Sequence, residues 1–463
     1  MALSRRRILQ GAGALALLAG RLAAPALAQS ALAQSALAQP AQAGDIPPIL
    51  FVHGNGDHAA LWMTTLWRME SNGVPRERMA AINFTDPLAR TDDKVEQASR
   101  SSTEDQRREL AEAVRQLKQS SGAARIALVG NSRGGNAIRN YVKNGGGGDT
   151  SHAVLCGTPN HGVYAWDDGL GNEFNGRGAF LRGLNDGDSE VTVGTAFLTL
   201  RSDGLDKYAQ ADGRFVGKPG TPTNVTTEGP ALKGATNLVL GALDHRETGF
   251  HPRAFREIYR FIAGHEPSRI EIVPEAAVKL SGLVTGMPGG VPTNRPVPGA
   301  TVDIYHVSAE TGERIGGPLH SSQTGADGRW GPAQVDPSWP LEFVLTSPGA
   351  VTTHIYRSPF RRSSGIVHLR AARPLSPADS GAGAIVLMSR PRGYFGLPRD
   401  IVLFDGKEPT DVKSGVPTDA VTTLRFAAAE AGRPVAAIFN GERIVMRTWP
   451  ASENRIAVAE LTY

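Results

Sequence analysis

The chain has 463 residues, 40% of them apolar and 20% charged, which is enough for roughly two to four globular domains. Its formal charge of +4 resides in the four arginines of residues 1–43; without them the chain carries no net charge and offers no overall electrostatic case for a nucleic-acid partner. A single cysteine, Cys156, excludes an intramolecular disulfide and a zinc site built on thiolates.

In chain order, the first segment reads as an address. Ser4-Arg5-Arg6-Arg7-Ile8-Leu9 precedes the apolar run Ala14–Ala19, which is too short and too rich in Gly and Ala to span a membrane. The paired arginines resemble a twin-arginine signal and predict export to the periplasm or beyond. Ala26-Leu27-Ala28 and Ala41-Gln42-Ala43 are candidate cleavage sites, and the Ala-Leu-Ala-Gln repeats between them read as a tether.

Residues 44–266 alternate short apolar runs with helical spacing. Pro48–Val52 is strand-like and ends at His53-Gly54. Ala60 to about Glu70 is a helix. Ser102 or Thr103 can cap a helix on which Leu110, Val114 and Leu117 share a face. Arg125–Val129 is a strand leading into a helix with Ile138, Tyr141 and Val142, which Gly145–Gly148 ends. Ala153–Cys156 and Asn237–Gly241 are further strands, with Ala196-Phe197-Leu198 a candidate between them, and His251 to Ile262 is a last helix. Strand–helix alternation with apolar strands predicts a mainly parallel sheet with helices on both faces. From Ile270 onward the texture is short alternating strands between Gly, Pro and Asp turns, which predicts an all-β C-terminal region of sandwich modules, one over 267–372 and a second over 373–463.

The chemistry concentrates in the first half. Gly130-Asn131-Ser132-Arg133-Gly134 fits G-x-S-x-G between a strand and a helix, where a sharp turn exposes a serine at the positive end of the helix. No G-K-[ST] follows, so a phosphate loop is excluded. A serine is a poor nucleophile until a base, oriented by an acid, takes its proton. His245 follows the strand at 237–241 and precedes the last helix, and it is the preferred base; His251 is the alternative but starts that helix. His161 reads as a loop or wall residue. Asp206 and Asp203 both fit the acid, Asp206 being preferred, while Asp57 and Asp244 read as loop hydrogen-bonders. The stretch 160–195, with Tyr164, Trp166, Phe174 and Phe180, reads equally as a flap over the site or as a surface loop. Its aspartates match no calcium-loop spacing.

These residues resemble the α/β-hydrolase superfamily. The runs His53-Gly54-Asn55-Gly56-Asp57, the serine motif, and Tyr141-Val142-Lys143-Asn144 leading to Cys156-Gly157-Thr158-Pro159-Asn160-His161-Gly162 look like class 2 lipases and extracellular polyhydroxyalkanoate depolymerases, over about 46–264. The resemblance implies a carboxylic ester hydrolase without cofactor or metal, with Ser132 as nucleophile, Asp206 as acid and His245 as base. It also implies an oxyanion hole of the Asn55 and Arg133 backbone amides. One departure stands out: such lipases commonly carry His before and Met after the serine, where this chain has Asn131 and Arg133. A cation beside the nucleophile either favours a polar or acidic acyl group or points away. The segments Leu280-Ser281-Gly282, Pro298–Val302 and Gly325–Trp330 resemble carboxypeptidase-regulatory-like β-sandwich modules. The expected partner is an ester, with a lipid or polyester surface as an extension. A polyester depolymerase whose β-modules dock on polymer is the second reading, and a non-catalytic binding protein the third.

Overall fold

The computed structural model describes residues 46–463, so the expected signal and tether lie outside the described residues. The N-terminal half is built on β1 (Ile49–Val52), α1 (Met63–Ser71), β2 (Met79–Ala81), α2 (Thr103–Ser121), β3 (Ile126–Asn131), α3 (Arg133–Lys143), β4 (Thr150–Cys156), α4 (Ala179–Leu184), β5 (Ala196–Arg201), β6 (Thr236–Val239), α5 (Glu247–Phe250) and α6 (Pro252–Ala263). The strands form one six-stranded sheet, ordered β2-β1-β3-β4-β5-β6, and every pair is parallel. Alternate side chains serve opposite faces, as the pleat requires. Ile49 and Phe51 pack with α1 and α6, and Leu50 and Val52 with α2 and α3. β1 and β3 are therefore buried throughout, while β6 is an exposed edge. This is the α/β-hydrolase architecture.

Helix boundaries follow local chemistry. Ser102 caps α2, with Asp105 closing the reciprocal capping box, and Gly122 ends it at φ 68°. His251 caps α6, Pro252 fills its first turn, and Gly264 ends it at φ 77°.

The C-terminal half is almost entirely strand. Its main sheet has seven strands, in the order Val421–Phe426, Ala384–Ser389, Arg455–Glu460, Thr352–Arg357, Leu341–Thr346, Thr301–His306 and His320–Gln323. Two three-stranded sheets accompany it, one of Arg329–Val335, Val278–Thr285 and Leu369–Arg370, the other of Val402–Phe404, Pro434–Phe439 and Glu442–Arg447. Arg455–Glu460 inserts parallel to both Thr352–Arg357 and Ala384–Ser389. The stretches 267–372 and 373–463, read from the sequence as separate modules, thus share one sheet, because an inner strand from the far end of the second stretch pairs with strands of both.

The two halves also share a core. Val278, Leu280, Trp330, Phe343 and Phe360 belong to the same apolar cluster as Phe51, Trp62, Trp67 and Phe255. α1 lies in this seam, which explains why Met63 through Met69 are all buried rather than on one stripe. Trp67 meets Phe360 edge to face at 6.2 Å, and its indole N–H donates to the Ser363 carbonyl at 3.1 Å. Burying a side chain such as Phe360 in this way contributes roughly 1.5–3 kcal/mol. Ion pairs Arg362–Glu70 and Arg295–Asp86 bridge the rim. Among the described residues no helix is long and apolar enough to cross a membrane.

Candidate active site

Ser132 sits between β3 and α3 at φ 55°, ψ −125°, a strained setting for a residue with a Cβ. The chain tolerates this turn because its glycines let neighbouring backbone approach. A Cβ on Gly134 would lie 2.5 Å from the His53 carbonyl oxygen and 2.6 Å from that of Val52. One on Gly130 would lie 2.8 Å from the backbone of Gly134 and Gly135, and one on Gly54 would lie 2.9 Å from the Ser132 Cβ. The Ser132 amide donates to the Cys156 carbonyl at 2.8 Å, which fixes the turn to β4.

The Asn55 loop is locked from beneath. His53 is fully buried, and burial lowers its pKa to about 4, so the ring is neutral. Its Nε2 accepts from the Phe84 amide at 3.1 Å, and its Nδ1 faces the Gly54 carbonyl at 2.9 Å. The Asn55 side chain is spent on the Ala89 amide, at 2.8 Å. Gly56, at φ 73°, completes the turn. Arg133 opens α3, where first-turn amides lack intrahelical partners.

The Arg133 side chain settles the alternative left by the sequence: it points away. It is buried, its fork pairs with Glu173, and it also donates to Ser101 and to the Pro87 carbonyl. No cation from this residue faces the substrate space. Its fork instead ties the serine turn to the 160–195 stretch, where Glu173 lies. Asn131 is similarly spent, on the Cys156 carbonyl at 3.0 Å and the His245 carbonyl at 3.3 Å.

His245 lies in the turn before α5, and Asp206 caps a short turn after β5. His245 Nδ1 is 2.9 Å from both carboxylate oxygens of Asp206, and both side chains are buried. Asp206 keeps its orientation by accepting the Tyr208 amide at 2.8 Å, and the Tyr208 ring meets His245 edge to face at 4.6 Å. His245 Nε2 is buried and has no hydrogen-bond partner among the described residues. Asp203 is occupied elsewhere, accepting the amides of Ala242 at 2.8 Å and Leu205 at 3.2 Å. His251 caps α6, and His161 pairs with Glu190 at 3.0 Å.

Ser132, Asn55 and His245 line one cavity of about 300 Å³. Tyr164 and Phe174 line it too, which makes the 160–195 stretch part of the site; Phe180 does not reach it. Trp166 stacks on Tyr164 at 4.3 Å. Val163 and Val216 supply apolar wall, and Arg246 and Asp57, 3.6 Å apart, supply a polar one. Tyr208 and Tyr394 are lining residues that sequence reasoning missed. Tyr208 lies two residues from the preferred acid and could have been found there; Tyr394 comes from the β region, and no local signal marks it. Among the described residues no cluster of three or more His, Cys, Asp or Glu is arranged to hold a metal.

Two family models match the chain: "Palmitoyl protein thioesterase" over residues 48–187 and "Lipase C-terminal domain" over residues 276–374. No curated protein matches. Among solved structures, the chain is similar to the Bacillus licheniformis lipase BlEst2 in its propeptide form, at 15% identity and TM-score 0.35, covering 89% of this chain and 94% of that one. The mature form of that lipase gives 21% identity and TM-score 0.35, covering 47% and 92%. Phospholipase PlaB from Legionella pneumophila gives 13% identity and TM-score 0.30, covering 71% and 94%. The chain thus joins an α/β-hydrolase-type parallel sheet to a β-rich C-terminal region, with a hydrolase-family model matching part of each half.

Proposed function

We infer that this lipase-like hydrolase is a serine esterase that cleaves carboxylic esters through an acyl-enzyme. One observation carries the reading: a buried histidine is held by a carboxylate at Nδ1, while its unpartnered Nε2 shares a cavity with a serine in a strained turn. In this mechanism His245 Nε2 takes the Ser132 proton as the oxygen attacks the ester carbonyl. The Asn55 and Arg133 amides stabilise the oxyanion, and Asp206 stabilises the imidazolium. The protonated His245 returns its proton to the departing alcohol. Water, deprotonated by the same ring, then releases the acid and restores Ser132. No cofactor takes part.

The cavity volume is at the lower end of ligand sites, which run from roughly 300 to 1,000 Å³, and supports short acyl groups over long ones. The same machinery serves thioesters, and the thioesterase-model match over 48–187 supports including them as substrates. Export rests on the signal-like residues 1–43.

The test is hydrolysis of p-nitrophenyl esters from acetyl to palmitoyl, with an acyl thioester alongside, by the protein and by Ser132→Ala. The expected result is a short-chain maximum and a loss of several orders of magnitude in the variant. Undiminished turnover by Ser132→Ala would overturn the reading.

A further inference from the structure

We propose that the loop Arg390–Arg399 of the C-terminal region is a positioning element for the Asp206–His245 pair, acting through the residues on either side of His245. The inference rests on the esterase reading above.

His245 lies within Asp244-His245-Arg246-Glu247. Asp244 Oδ1 accepts the amides of Arg246 at 2.8 Å and Glu247 at 2.9 Å, and Glu247 Oε2 accepts the Asp244 amide at 2.7 Å. This reciprocal cap closes one turn around the histidine. It also sets two carboxylates against each other at depth, with the Asp244 side chain fully buried and Glu247 nearly so. Burial and the Asp244 charge both push the Glu247 pKa up. Without nearby cations such a turn relaxes, because buried like charges repel and a lost buried pair leaves a charge unsatisfied.

The cations come from the other half of the chain. Arg390, itself buried, gives Nη1 to Asp244 Oδ2 at 2.8 Å and Nη2 to Glu247 Oε1 at 2.6 Å. Arg399 gives Nη1 to Glu247 Oε2 at 2.8 Å. Among the described residues, every ion pair of Asp244 and Glu247 is with these two arginines. Between them in sequence, the Tyr394 amide donates to Asp244 Oδ2 at 2.8 Å. The Tyr394 ring then meets both catalytic loops: its centroid is 3.7 Å from the ammonium of Lys207, next to Asp206, and 5.1 Å from the guanidinium of Arg246, next to His245. One loop thus touches the immediate neighbours of acid and base alike and spans the gap between β5 and α5.

The experiment compares the full chain with Arg390→Gln, Arg390→Lys, Asp244→Asn and Arg390→Gln/Asp244→Asn. It reads kcat and KM on the best p-nitrophenyl ester, and the rate and final extent of labelling by a fluorophosphonate. The expected result for Arg390→Gln is a kcat about tenfold lower at little-changed KM, slower labelling and an unchanged final extent. Arg390→Lys should recover part of the rate, and the double variant should lose no more than the worse single one, as for groups acting as a unit. Wild-type kcat in Arg390→Gln, or a kcat loss matched by the loss in labelling extent, would overturn the proposal. Should Arg390→Gln fail to fold, Arg399→Gln decides: kcat several-fold lower in a fully labelled protein supports it, and wild-type kcat sinks it. Ser132→Ala in the same assay separates the two readings. Retained activity there removes the esterase mechanism; an inert Ser132→Ala beside a fully active Arg390→Gln removes only the positioning role.

Discussion

The serine turn and the acid–base turn are held by different means. Ser132 is set by backbone against backbone, with Gly54, Gly130 and Gly134 permitting contacts no side chain would allow. Asp206 and His245 are set by side chains, and the charges that steady the histidine turn come from residues 390 and 399. The first arrangement is complete within the N-terminal half, whereas the second is complete only with the C-terminal half in place. A shared fold name therefore hides two kinds of dependence, one on local packing and one on a distant partner.

Removing residues 267–463 breaks the comparison at its largest scale. Truncation strips the seam from Trp62, Trp67 and Arg68 and leaves Asp244 and Glu247 without cations. The expected outcome is loss of soluble, folded protein and of activity on soluble esters and polyester films alike. A truncated chain that still hydrolyses soluble esters would restore the view of the β region as a separate docking module.

Within the acid–base half, Asp206→Asn should lower kcat by about 10³- to 10⁴-fold, because the histidine loses the carboxylate that orients it and stabilises its charge. Asp203→Asn, whose side chain accepts from the Leu205 and Ala242 amides and the Ser202 hydroxyl and does not reach His245, should stay within a few-fold of wild type. Steady-state kinetics on one ester separates the two, and equal losses would argue that the turn as a whole matters rather than the hydrogen bond to His245.

The smallest effect concerns acid. Burial lowers His53 from 6.5 to about 4 and His368, at the seam, to about 3. Both are neutral when folded and bind protons more readily when unfolded. Their contribution is therefore intact above pH 6.5 and is lost as pH falls from 6.5 towards the folded values, by roughly 1.4 kcal/mol per pH unit for each group. Thermal midpoints measured from pH 7 to 4.5 should fall, and His368→Gln should flatten the slope. An unchanged midpoint across that window would contradict the assignment.

The sequence disclosed what is local. Gly130-x-Ser132-x-Gly134 is legible because the strand, turn and helix that need it are adjacent in the chain. The parallel sheet was legible because its central strands are apolar on both faces. The choice between Asp203 and Asp206 was not, since both lie in one turn and differ only in which amides and ring they meet. Whether Arg133 faces the substrate or points away stayed open in the sequence because its partner, Glu173, lies 40 residues away in a loop with no pattern. The brace on His245 was beyond reach, since Arg390 and Asp244 are 146 residues apart and no periodicity links them. The single seven-stranded sheet was missed for the same reason: its alternating strands say where they begin and end, and nothing about their neighbours.

The insertion of Arg455–Glu460 between Thr352–Arg357 and Ala384–Ser389 sets an order of events in synthesis. A ribosome releases the serine turn early, yet the sheet next to the bracing arginines cannot close around this inner strand until residue 460 has emerged. The nascent chain thus carries Ser132 long before the sheet bracing His245 is finished.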